Sequence, residues 1–89
     1  MRRVHVVVTG MVQGVGFRYY TLSRAETLGV TGWVRNRPDG AVEVEVEGPN
    51  AAVEAMLAWL ADGPASARVR ATRVTESRPE GSTGFRIRH

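Results

Sequence analysis

Val4-His5-Val6-Val7-Val8-Thr9-Gly10-Met11-Val12-Gln13-Gly14-Val15-Gly16-Phe17-Arg18 crosses from one kind of structure to another. Val4 to Thr9 is β-branched apart from His5 and reads as a strand. Gly10, Gly14 and Gly16 then crowd into a short stretch that reads as a loop. From Phe17 to Leu28 there is neither Gly nor Pro, and Phe17, Thr21, Ala25 and Leu28 fall near one helical face. Gly29 is the C-terminal stop of that helix.

Downstream, Val30 to Arg37 is strand-like and ends at Pro38-Asp39-Gly40, where Asp39 reads as a turn former. Ala41 to Glu47 alternates: Val42, Val44 and Val46 on one face, Glu43, Glu45 and Glu47 on the other. This predicts a half-buried strand paired with its predecessor, the glutamates forming a solvated face. Gly48-Pro49-Asn50 opens a second helix, with Val53, Met56, Leu57 and Leu60 on one stripe, and Asp62-Gly63-Pro64 ends it. Ala67 to Thr75 reads as a fourth strand. Val69 and Ala71 are out of phase with Val74, which predicts a bulge near Thr72. A polar loop, Glu76 to Gly84, leads to a short last strand, Phe85 to Arg88.

Two helices with one apolar stripe each cannot cover both faces of so small a sheet. They are expected together on one face of a mostly antiparallel sheet, as a ferredoxin-like βαββαβ α+β sandwich with a short extra C-terminal strand. One domain, residues 1–89, is expected from the length. That fold hosts many functions and settles none.

Composition narrows the classes. There is no cysteine, which excludes a disulfide scaffold, a thiol nucleophile and Cys-x-x-Cys metal sites. His5 and His89 are the two histidines, far apart in sequence; His5 reads as structural, and no metal site is expected. No apolar run is long enough to span a bilayer, and the short apolar N-terminal stretch lacks a cleavage signature, so a cytoplasmic protein without membrane contact is expected. The net charge is +3, and all 12 basic residues are arginine.

Gln13-Gly14-Val15-Gly16-Phe17-Arg18 lies between strand and helix. The first turn of a helix has N–H groups without internal partners, and the helix dipole adds positive charge there. Glycines let such groups converge on an anion, and a guanidinium adds forked donors that match phosphate. The segment therefore suggests an oxyanion site, although such loops also serve simply as tight turns. It is not a Walker A loop, since no Lys-Ser/Thr follows, and it lacks the third glycine of the dinucleotide fingerprint. Asn36 precedes the turn at the end of the second strand. It reads as turn chemistry or as a carboxamide that could hold a water near the loop.

Gly10-Met11-Val12-Gln13-Gly14-Val15-Gly16-Phe17-Arg18 resembles the first signature of the acylphosphatase family. Gly32-Trp33-Val34-Arg35-Asn36-Arg37-Pro38-Asp39-Gly40-Ala41-Val42-Glu43 resembles the second. The resemblance runs from about residue 4 to 88. It implies a metal-free, cofactor-free hydrolase of small-molecule acyl phosphates. The backbone amides of Gln13, Gly14, Val15, Gly16, Phe17 and Arg18 would hold the phosphate. Arg18 matches the family's catalytic arginine, and Asn36 the asparagine that orients the attacking water. Met11 stands where many members carry a polar or basic residue, which affects the outer surface of the loop and nothing catalytic.

Two rivals come from other classes. RNA-recognition domains share the element order, but they need exposed aromatics on the central strands. Here the third strand presents three glutamates and no RNP1 pattern occurs, so no nucleic-acid partner is expected. Arg68, Arg70, Arg86 and Arg88 read as a solvated face that could pair with those glutamates. The other rival is a non-catalytic anion-binding or regulatory module; the presence of both Arg18 and Asn36 argues against it. A monomer is expected.

Overall fold

The computed structural model describes residues 1–89. Its elements are β1 (Arg2–Met11), α1 (Phe17–Leu28), β2 (Thr31–Asn36), β3 (Val42–Gly48), α2 (Asn50–Asp62), β4 (Arg68–Ser77) and β5 (Phe85–Ile87). The sheet order is β4-β1-β3-β2-β5. All pairings are antiparallel except β2 with β5. This is the ferredoxin-like sandwich with the expected extra strand.

Alternation explains which side of the sheet is covered. Val4, Val6 and Val8 of β1, Val34 of β2, and Val42, Val44 and Val46 of β3 are all fully buried. Successive strand residues point to opposite faces, so these seven valines share one face. Val53, Met56 and Leu60 of α2 and Phe17 and Ala25 of α1 close over them. Each buried valine contributes roughly 1.5–3 kcal/mol relative to exposure, so the valine layer is the main stabilising term. Phe17 also meets Trp59 of α2, with ring centroids 5.8 Å apart and planes tilted by 49°. Both helices end as read: Gly29 takes the left-handed conformation and its N–H reaches Ala25 and Glu26 carbonyls.

The bulge differs from its expected place. Thr9 pairs with Ala71, but Gly10 pairs with Val69, so the extra residue is Arg70 rather than one near Thr72. The phase break between Val69 and Val74 is real. Its position is set by the partner strand, where β1 comes so close at Gly10 that β4 must step around it.

The glutamate face is also not simply solvated. Arg3 is 2% exposed and Glu47 4% exposed, although both lie on the sheet face without helices. The polar loop after β4 folds over them. Arg3 donates to Glu45 (2.7 Å), Glu47 (3.0 Å) and Ser82 Oγ (3.2 Å). Glu47 also accepts from the backbone N–H groups of Glu80 (2.8 Å) and Gly81 (2.9 Å). His5 and Arg35 both meet Glu43, each at 2.6 Å. The glutamates thus pair with Arg3, His5 and Arg35, not with the late arginines Arg68, Arg70, Arg86 and Arg88. A strand's own period cannot reveal a loop that will cross it.

The backbone donor at Glu80, reinforced by Arg3 and Gly81, holds the Glu47 carboxyl below the usual glutamate range against the opposing effect of burial. The folded state therefore binds this proton less readily than the unfolded chain. The resulting stability is complete above the ordinary carboxyl value of about 4.5 and is lost as pH falls through the lower folded value. Glu47→Gln is expected to lower the urea midpoint near neutrality, with the deficit narrowing as pH falls below the ordinary carboxyl value of about 4.5. A deficit that stays constant with pH would exclude this linkage.

Candidate active site

The loop between β1 and α1 is anchored at both ends by apolar burial: Val12 and Phe17 are each 1% exposed. Between them Gly14 (φ 74°) and Gly16 (φ 78°) take left-handed conformations, and Gly16 caps α1. Nothing stands within 4 Å of where a Gly14 Cβ would lie, so the requirement there is conformational rather than steric. Ser66 Oγ donates to the Val15 carbonyl (2.8 Å), and Gln13 Nε2 donates to the carbonyls of Arg37 (2.7 Å) and Ala41 (2.9 Å).

The donors of this loop are free. Outside the helices and strands there are 10 main-chain hydrogen bonds, and none is donated by residues 12–19; the first donor is Tyr20, to Gly16 (3.1 Å). Consecutive N–H groups thus end at the positive pole of α1, whose first turn carries no acidic residue. Arg18, in that turn, is half-buried. Arg35 and Arg37, on either side of Asn36 in sequence, are paired with Glu43 and with Asp39 (3.1 Å), whereas no carboxylate pairs with Arg18.

Asn36 is the last residue of β2 and pairs with Val42, which in turn pairs with Val8. β1 and β2 therefore finish at the same end of the sheet. Gly32, Val34 and Asn36 share a face, and Val34 is in the core, so Asn36 points toward the helix layer and its carboxamide makes no hydrogen bond to the protein. Asp39 is a turn former as read: its carboxylate accepts from Ala41 N–H at 3.0 Å. A cleft of about 510 Å³ opens at the same end on the bare sheet face, between Met11, Gly40, Arg68 and Arg70, and includes neither Arg18 nor Asn36.

Residues 4–87 match the family model described as acylphosphatase. The chain belongs to the acylphosphatase family. It is 54% identical over 86 residues to an acylphosphatase of Trichormus variabilis, covering 97% of this chain and 85% of that protein. The crystal structure of an acylphosphatase from Bacillus subtilis superposes with a TM-score of 0.96 at 40% identity, over the full length of both chains. The structure of one from Coxiella burnetii gives 0.94 at 38% identity, over 98% of this chain and 92% of that one. As a member of the acylphosphatase family, this chain is an enzyme that hydrolyses acyl phosphates.

The acylphosphatase resemblance names residue types, and the structure adds how they are held. The side-chain reach of Gln13 and the tether from Ser66 escape sequence reasoning, which weighs only the main chain of the loop. A polar side chain beside two glycines is the one hint available for Gln13. Ser66, far away in sequence, gives none.

Proposed function

We propose that residues 1–89 work as one domain that cleaves the carboxyl–phosphate bond by direct attack of water, with Arg18 and Asn36 in the catalytic roles. The N–H groups from Gln13 to Arg18 grip the phosphoryl oxygens, and the Arg18 guanidinium adds a forked pair of donors. Asn36 holds the water in line with the scissile bond. A new P–O bond forms from water as the bond to the acyl oxygen breaks, and that electron pair leaves on the carboxylate. The water's proton ends on the phosphate or in solvent. The observation that carries this reading is the run of unspent N–H donors at the positive pole of α1, beside a guanidinium that no carboxylate neutralises.

The carboxylate leaves as the anion of an acid with pKa near 4, so it needs no protonation and no general acid. The transition state is mostly loose, which places the burden on positioning and charge stabilisation. No metal is required for either, and turnover is expected to persist in saturating chelator. We place the enzyme in the cytoplasm, as a monomer. No helix is long and apolar enough to cross a membrane.

With benzoyl phosphate as substrate, Asn36→Ala is expected to lower kcat by roughly 10²–10³, the effect of losing one preorganised donor. Inhibition by inorganic phosphate should be nearly unchanged. Loss of phosphate binding with normal turnover of bound substrate would reverse the assignment of roles.

A further inference from the structure

Gln13 belongs to the anion loop by its main chain, but its side chain leaves the loop. Nε2 donates to the Arg37 carbonyl at 2.7 Å and to the Ala41 carbonyl at 2.9 Å. These same oxygens close the β2–β3 turn, since Arg37 N–H donates to Ala41 O (2.8 Å) and Gly40 N–H to Arg37 O (3.2 Å). One carboxamide nitrogen therefore spends both hydrogens on the two carbonyls that shape the hairpin. Asn36 is the residue just before Arg37.

The chemistry of the contact selects this residue type. Two carbonyl acceptors call for a neutral group with two hydrogens on one nitrogen. An ionised carboxylate would bring only lone pairs against lone pairs, and an apolar side chain would leave both oxygens without this partner. Elsewhere the loop and the hairpin approach each other through backbone segments that carry no mutual main-chain hydrogen bond. We infer that Gln13 is a positioning residue whose side chain sets the spacing between the phosphate cradle and Asn36, and with it the line of attack of the water. This inference rests on the water-orienting role of Asn36. Misplacement by about 1 Å at a distance from the reacting atoms can cost on the order of 10²-fold, so a strut of this kind is read in kcat.

The test is a cycle of Gln13→Met, Asn36→Ala and the double variant, with benzoyl phosphate as substrate and inorganic phosphate as inhibitor. Gln13→Met is expected to lower kcat by roughly 10- to 100-fold, with the phosphate inhibition constant kept within about twofold. In the Asn36→Ala background the same change is expected to alter kcat by less than about threefold, because the group being positioned is gone. Full loss in that background would overturn the inference, as would wild-type kcat in the single variant. A weakening of phosphate inhibition by the same factor as kcat would also overturn it, since Gln13 would then shape the cradle. If Asn36→Ala itself turns over normally, the proposed mechanism falls first and this inference with it. Gln13→Leu, also without a donor and uncharged, is read in the same way should Gln13→Met fail to fold.

Discussion

Arg18→Gln is expected to reduce kcat/KM for benzoyl phosphate by about 10³-fold or more, comparable to removing an arginine that stabilises phosphoryl-transfer charge elsewhere. Arg18→Lys should recover only part of this, because a point charge cannot reproduce two parallel N–H donors. The structural effect should run the other way. A cation in the first turn of α1 faces the positive end of the helix dipole, with no acidic residue in that turn to offset it. Such placement costs roughly 0.3–1 kcal/mol, so the variant should melt at the same temperature as the parent or a few degrees higher. Thermal unfolding with and without inorganic phosphate reads both effects together. The parent should gain stability from phosphate and Arg18→Gln should gain much less. A variant that loses activity because it is unfolded, or that keeps both turnover and phosphate stabilisation, would contradict the assignment.

Gly32→Ala is expected to be the most damaging single methyl in the sheet. Gly32 has φ 138°, and a Cβ there would lie 1.9 Å from the backbone oxygen of Glu45 on β3 and 2.8 Å from its carbonyl carbon. The obstacle is main chain held in a ladder, so no rotamer change relieves it. Strained backbone costs about 1–3 kcal/mol and overpacking a similar amount, giving roughly 2–6 kcal/mol together. A domain of this size has only about 5–13 kcal/mol in total. The expected result is a fall in Tm of more than about 10 °C, or failure to accumulate folded protein. Activity per folded molecule should drop as well, since Asn36 lies at the end of the same strand. A Tm within about two degrees of the parent would show that β2 and β3 can part locally at little cost.

Local pattern carried most of the architecture. The valine alternation in β3, the gap free of Gly and Pro across α1, and the stops at Gly29 and Gly63 are short-range signals, and each holds in the structure. The ends of strands are less legible. β1 begins at Arg2 and reaches Met11, beyond its β-branched run, because Arg2 pairs with β3 and Gly10 and Met11 pair with β4. The pairing of the β3 glutamates lies outside the strand pattern for the same kind of reason. Their environment is set by Arg3 at the start of the chain and by a loop more than 30 residues downstream. The residues of the proposed site, the loop glycines, Arg18 and Asn36, stand out in the sequence by type and spacing. The contacts of Gln13 with the β2–β3 turn and of Ser66 with Val15 do not, because they join segments that meet only after folding.

β5 is three residues long, yet it changes the standing of β2. Gly32 N–H donates to Gly84 (3.0 Å) and Arg88 N–H to Val34 (2.8 Å), so the strand carrying Asn36 is flanked on both sides. Without that short parallel ribbon, β2 would offer a row of bare peptide groups to any passing extended chain, ready to template self-association. The opposite margin, β4, is guarded in another way, by exposed Arg68, Arg70 and Arg73, whose like charges oppose the docking of a second copy. A proteolytic nick in the stretch ahead of Phe85 would therefore do its first harm to colloidal behaviour, and only then to turnover.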